Sequence, residues 1–135
     1  RQIVIWNSGA GVNFAPTHYR PSCEWIVIFA KSEFRLASKG ASACGDVWTI
    51  PAQERDGSHP APFPVALPAR ALETTGAALV YDPFLGSGTT LIAAEQLGRV
   101  CYGCELDPGY CDVVVKRWEQ LTGKHATREE VSACV

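Results

Sequence analysis

Between Ala78 and Gly98 the hydrophobic pattern of the chain changes twice. Ala78–Asp82 is a short apolar run ending in an acid. Gly86 and Gly88 break it, and Thr89–Leu97 continues at helical spacing until Gly98 closes it at a C′ position. Strand, glycine turn and helix in immediate succession commit this stretch to a crossover unit. Val100–Glu105 supplies the next strand, and Asp107 with Pro108 opens a helix that Gly123 ends. Upstream, Val65–Thr75 reads as a helix, with Pro68 tolerated near the first turn, where backbone N–H groups lack helical partners. The order helix–strand–helix–strand–helix predicts an α/β fold whose short parallel strands are buried on both faces. In the last helix Tyr110, Val114, Trp118 and Leu121 share one apolar face.

The N-terminal part has a different texture. Ile3–Trp6 and Glu24–Lys31 are rich in β-branched and aromatic residues and lie close in sequence, which predicts an antiparallel strand pair. Gly9, Gly11, Asn13, Pro16 and Pro21 punctuate the loop between them. Residues 35–58 are rich in Ala, Ser and Gly around one apolar island, Val47–Ile50, and read as a linker or a short recognition segment. Three parts follow: a strand pair over 1–34, the segment 35–58, and an α/β portion over 59–135. No internal repeat is visible.

With 135 residues, 47% of them hydrophobic, the chain can bury a real core in one domain. The longest apolar run, Trp25–Ala30, is far short of the ~20 residues that span a bilayer, and no signal-peptide pattern opens the chain. Disordered, collagenous and membrane classes are excluded, and a cytoplasmic location is expected. The first residue is Arg and Met is absent, so the chain is expected to be part of something longer. Net charge is −2, divided as +1 over residues 1–58 (6 basic, 5 acidic) and −3 over 59–135 (6 basic, 9 acidic). Neither part carries the basic stripe of a protein that neutralises many phosphates, which argues against tight autonomous nucleic-acid binding. An enzyme whose DNA-binding surface lies elsewhere stays open. Cys101 and Cys104 form a CxxC, yet their offset in a strand sends the thiols to opposite faces, and no second pair completes a zinc site. The expectation is no metal, and buried, reduced cysteines.

The chemistry is concentrated in Val80–Thr90, VYDPFLGSGTT, with Glu105 17 residues beyond Gly88. In an open α/β sheet ligands bind at the carboxyl ends of the strands. Glycines permit close backbone approach there, and a helix N-terminus offers free N–H groups to an anion. A nucleoside triphosphate would require GxxxxGK[ST], but no lysine occurs between Lys39 and Lys116. A dinucleotide would want GxGxxG, and Leu91 stands where the third glycine belongs, a partial match. S-adenosylmethionine has a ribose and a carboxylate but no phosphate, and it suits Asp82, the turn and Glu105. A purely structural glycine turn is the remaining reading of these residues.

The wider run HPAPFPVALPARAL, then DPFLGSGTTLIAAEQLGRVCYGCELDPGY, then RWEQLTGK, closely resembles the amino-directed DNA methyltransferases, which act on N6 of adenine or N4 of cytosine. The resemblance is specific from His59 to about Lys124 and weaker over IVIW, EWIVIFAK and DVWTIP. It implies part of a Rossmann-like sheet that binds S-adenosyl-L-methionine, preceded by an antiparallel strand pair, in the permuted β-type motif order. Carried over residue by residue, it places Asp82, Pro83, Phe84, Gly86, Ser87, Gly88, Thr89 and Thr90 at the methionine end of the cofactor and Glu105 on its ribose. His59 and Phe63 would wall the pocket.

The family's catalytic motif, an Asp, Asn or Ser followed by Pro-Pro-Tyr, has no counterpart: the chain contains no Pro-Pro dipeptide. Asp107-Pro108-Gly109-Tyr110 is explained as a helix cap, with Tyr110 on that helix's apolar face. The resemblance therefore implies the cofactor-binding C-terminal part of a restriction–modification type methyltransferase, with no catalytic residue in this chain and no activity alone. DNA and an N-terminal catalytic part would be its partners. A non-catalytic regulatory module and a dinucleotide enzyme are the rival classes. In the family's sheet, two further strands would lie between the N-terminal pair and the strand ending at Asp82, a gap of about 10 Å at ~4.8 Å per strand. That predicts either an intermolecular sheet in a homo-oligomer or a displaced hairpin. Direct closure of the hairpin onto that strand, giving a compact monomer, is the alternative.

Overall fold

The computed structural model describes residues 2–9, 17, 19–52 and 63–130. Strand β1, Gln2–Asn7, pairs antiparallel with β2, Cys23–Ile28, in a register running from Gln2↔Ile28 to Asn7↔Cys23. Alternation along β1 places Val4 and Trp6 in the core and Ile3 on the opposite, exposed face. The N–H of Ser8 donates to the Ser22 carbonyl at 3.0 Å and extends the ladder past the strand ends.

Of residues 35–58, read from sequence as a linker or a short recognition segment, the described part, 35–52, holds two elements. Helix α1, Lys39–Ser42, is one turn long, with the Ser38 hydroxyl accepting from the Ala41 N–H. Strand β3, Val47–Thr49, pairs parallel with β1 through Ile5↔Val47, Trp6↔Trp48 and Asn7↔Thr49, giving the sheet order β2-β1-β3. Three residues carry too little periodicity to announce a strand. What forms this one is the edge of β1 and the burial of Trp48 with Val4, Trp6 and Ile50. The Trp6 indole N–H donates to the Ile50 carbonyl at 2.7 Å, so the ring is buried with its polar atom satisfied.

Helix α2, Ala66–Thr75, begins with Pro68 in its first turn and ends on Gly76 at φ 64°. It has two apolar sides. Leu67 and Ala71 pack on the Val4–Trp6–Trp48–Ile50 cluster, while Ala69 and Leu72 join a second cluster built on Ala93 and Ala94. The Arg70 guanidinium lies 5.9 Å from the centroid of the Trp48 ring, within cation–π range.

Beyond α2 comes the predicted crossover. Strand β4, Leu79–Asp82, pairs parallel with β5, Val100–Gly103, from Leu79↔Val100 to Asp82↔Gly103. Helix α3, Thr89–Gln96, connects them and buries Ile92, Ala93 and Ala94, the two alanines completely. Helix α4, Pro108–Thr122, is capped by the Asp107 carboxylate, which accepts from the Gly109 N–H at 2.7 Å, and it packs on α3. Its apolar face comprises Val114, buried, with Tyr110 and Trp118 half-buried; Leu121 is exposed, contrary to the helical-face reading.

Burial of the parallel strands differs from expectation. Val80 and Cys101 pack inward, but Leu79, Tyr81, Val100 and Tyr102, on the opposite face, are each more than half exposed. The helices cover one side of β4 and β5 only, and no described element covers the other. Ile3, Trp25 and Val27 are bare in the same way on the first sheet. Among the described residues the two sheets share no strand pairing, so the hairpin does not close directly onto β4. No described helix is long and apolar enough to cross a membrane.

Candidate functional site

The carboxyl ends of β4 and β5 carry the loop that the sequence singled out. Asp82 ends β4, and its Oδ1 accepts from the Phe84 N–H at 3.0 Å, turning the chain out of the strand. Leu85 N–H donates to the Cys104 carbonyl at 2.9 Å and Cys104 N–H to the Asp82 carbonyl at 3.0 Å, stitching the loop to the end of β5. Gly86 and Gly88 follow at φ 55° and 82°, left-handed conformations that side chains resist. At Gly88 a Cβ would also sit 2.9 Å from Cγ2 of Val114, so only glycine lets α4 approach this closely. Gly88 is the N-cap of α3 and supplies no side-chain cap, which leaves the first-turn N–H groups of Thr89, Thr90 and Leu91 for an anionic ligand.

Glu105 reaches this turn from the end of the β5 segment. Its Oε2 accepts from the Gly86 N–H at 2.7 Å, and its Oε1 accepts from the N–H groups of Leu106 and Asp107, both at 2.9 Å. The carboxylate thus joins the glycine turn to the start of α4. Two large apolar side chains of these loops are open to solvent, Phe84, two residues before Gly86, at 88% and Leu106, next after Glu105, at 98% exposure.

Ser87 and Thr89 are placed differently from their neighbours. Both are buried, and their hydroxyls accept from Arg117 of α4, whose Nη1 lies 3.1 Å from Ser87 Oγ and 3.4 Å from Thr89 Oγ1. The same nitrogen donates to the Ser87 carbonyl at 2.6 Å. Pro83 is exposed and Thr90 half-buried on the turn. Phe63 is partly exposed just ahead of α2, and His59 lies outside the described residues.

Sequence reasoning missed Arg117 and Leu106. Helical spacing held a signal for the first: Arg117 stands three residues beyond Val114, on the side of α4 that meets the turn. Leu106 carried only its adjacency to Glu105.

The cysteines are more open than expected. Of those described, Cys23, Cys44, Cys104 and Cys111 are exposed, and only Cys101 is partly covered. Burial pushes the Cys101 thiol up from its ordinary value, and the nearby Asp82 carboxylate adds to the shift. Tyr81 Oη lies 3.5 Å from Cys104 Sγ, and that hydrogen bond, with the charge on Cys104, raises the phenol as well. The described residues contain no His/Cys/Asp/Glu cluster able to hold a metal ion.

The family described as DNA methylase matches residues 1–116. Type II methyltransferase M2.MboI of Moraxella bovis is 30% identical over 97% of this chain and 56% of its own length. Type II methyltransferase M.Cfr9I of Citrobacter freundii is 38% identical over 87% of this chain and 43% of its own. Among solved structures, TTHA0409 of Thermus thermophilus, complexed with S-adenosyl-L-methionine, superposes with a TM-score of 0.62 at 28% identity, over 88% of this chain and 52% of that one. PvuII DNA methyltransferase, described as cytosine-N4-specific, superposes with a TM-score of 0.73 over 90% of this chain and 54% of its own; at 22% identity it shows the shared fold alone. The chain spans about half the length of the relatives it matches.

Proposed function

The chain belongs to the N6-adenine/N4-cytosine DNA methyltransferase family and has part of its Rossmann-like α/β fold, and on that premise we propose that it builds the S-adenosyl-L-methionine pocket of such an enzyme. The observation that carries this reading is the junction of turn and carboxylate, in which Gly86–Thr90 and Glu105 meet at the ends of two parallel strands. The residues fit the cofactor's parts. The uncapped first turn of α3 faces its carboxylate end. Glu105, which accepts from three backbone N–H groups at the turn, stands where the family resemblance puts the ribose. Leu106, next to Glu105, offers apolar cover for the adenine, and Phe84 stands with the turn at the methionine end. When bound, the cofactor supplies an activated methyl group, and the work of these residues is to orient it and exclude water.

Catalysis is assigned elsewhere. The motif that would hold the target amine and stack on a flipped base is absent from the sequence, so the 135-residue chain alone leaves DNA unmethylated. DNA is the substrate of the complete enzyme. The bare face of Leu79, Tyr81, Val100 and Tyr102, with the unpaired edges of β2 and β4, is where the catalytic part would add strands and helices. A second copy of the chain is the other occupant of those edges.

Calorimetry with S-adenosylhomocysteine and, separately, NAD tests the pocket. Binding of the homocysteine product is expected, and binding of NAD alone would overturn the assignment in favour of a dinucleotide enzyme. Turnover of unmethylated DNA by the purified chain in a methyl-incorporation assay would overturn the division of labour.

A further inference from the structure

We propose that Arg117 is a positioning residue for the cofactor turn, an assignment that rests on the pocket described above. The turn carries left-handed glycines at 86 and 88, the residues least able to hold a peptide plane by themselves. Something outside the turn must therefore fix which way the intervening carbonyl points. Arg117 Nη1 does so by donating to the Ser87 carbonyl at 2.6 Å from the α4 side. It also serves the hydroxyls of Ser87 and Thr89, which have no other hydrogen-bond partner among the described residues. With the Ser87 carbonyl drawn toward α4, that carbonyl is kept from turning toward the ligand's carboxylate, where its negative end would repel.

Glu105 holds the other end of the same dipeptide, accepting from the Gly86 N–H at 2.7 Å. Between them Val114 fills the space under Gly88. One stretch of chain, Glu105 to Arg117, thus clamps the turn at the Gly86 N–H and the Ser87 carbonyl. The two contacts divide the ligand: Glu105 answers to the nucleoside, and Arg117, through the turn, to the amino-acid end.

That division gives the test. Arg117→Met keeps the length of the stem and removes every donor. Calorimetry should show S-adenosylhomocysteine binding weakened about tenfold or more, the scale of a lost charge-assisted hydrogen bond, while adenosine, titrated by NMR, changes by less than about twofold. Arg117→Lys keeps one donor group and should recover part of the loss; if the Met variant fails to fold, the Lys variant carries the same comparison. Trp118→Phe on the same helix removes the 3.1 Å indole bond to Glu95 and should lower Tm without changing affinity. Unchanged S-adenosylhomocysteine binding in Arg117→Met would overturn the proposal while leaving the pocket assignment standing. Equal weakening of both ligands, or the same loss in Trp118→Phe, would reduce Arg117 to a general structural role and overturn it too. A wild-type chain that binds neither ligand would overturn the pocket assignment and this proposal together.

Discussion

Replacing Gly88 by alanine separates two costs that the structure imposes on one atom. The residue sits at φ 82°, and an added Cβ would lie 2.9, 3.1 and 3.3 Å from the Cγ2, Cγ1 and Cβ atoms of Val114. A left-handed conformation costs a non-glycine residue about 1–2 kcal/mol, and overpacking adds about 1–3 kcal/mol, so Gly88→Ala should destabilise by roughly 2–5 kcal/mol. Gly98 is the internal reference: at φ 64° with nothing within 4 Å of its Cβ position, Gly98→Ala bears only the conformational part. For a chain of this length each kcal/mol moves Tm by about 3–5 °C, which makes the difference between the variants readable by calorimetry or urea denaturation. Val114→Ala removes the obstructing methyl groups at a cost of its own, about 2 kcal/mol for a buried valine. In the double variant most of the steric part of the Gly88 cost should vanish, with only the residue-114 Cβ left at 3.3 Å, a coupling of about 1–2 kcal/mol against the sum of the single changes. Equal effects of Gly88→Ala and Gly98→Ala, or additivity of Gly88→Ala with Val114→Ala, would refute the claim that α4 presses on the turn.

Three more outcomes are expected. Glu105→Gln turns one carboxylate oxygen into an amide donor facing backbone N–H groups, so stability should fall by about 1–3 kcal/mol and S-adenosylhomocysteine affinity by about tenfold or more; unchanged affinity by calorimetry would remove Glu105 from the pocket. The Cys101 thiol is raised in the fold above its ordinary value of 9.0, so the folded state keeps its proton longer than the unfolded chain. The stability this contributes is full below pH 9 and drains away as pH climbs through the higher folded value, and Cys101→Ala should flatten that alkaline limb of a urea-midpoint series. Replacing Leu79 and Tyr102 by serine removes apolar area from the bare sheet face and should cut self-association measured by light scattering; equal scattering from the variant would locate the contact elsewhere.

What could be read from the sequence was whatever local chemistry determines. Asp107, Pro108 and Gly123 bracket α4 because capping and fixed φ act within a turn of the residue concerned. Gly86, Gly88 and Gly98 mark α3 and its approach for the same reason. Strand β3 escaped notice because its existence depends on β1, some forty residues upstream, and on a tryptophan whose burial no window around Val47–Thr49 reveals. Arg117 escaped because its partners, Ser87 and Thr89, are 30 and 28 residues away. Short runs such as Leu79–Asp82 look the same whether one face or two are covered, and exposure of Cys104 beside Tyr81 follows from that same open face. The turn and Glu105 were legible as an ensemble, but not that Ser87 and Thr89 direct their hydroxyls away toward α4.

Helix α2 has a mechanical consequence. Leu67 and Ala71 grip one hydrophobic cluster while Ala69 and Leu72 grip the other, and the Ala37 N–H hangs on the Thr74 carbonyl at 2.7 Å. Ten residues thereby transmit load between a sheet at the N-terminal end and the crossover unit that bears the glycine turn. Slack introduced into this single rod would let each side melt on its own schedule, splitting one amide-exchange transition into two. Cooperativity here is vested in a coupling, and a wedge as small as an extra methylene on Ala71 or on Ala69 loosens α2 from the one cluster that residue faces.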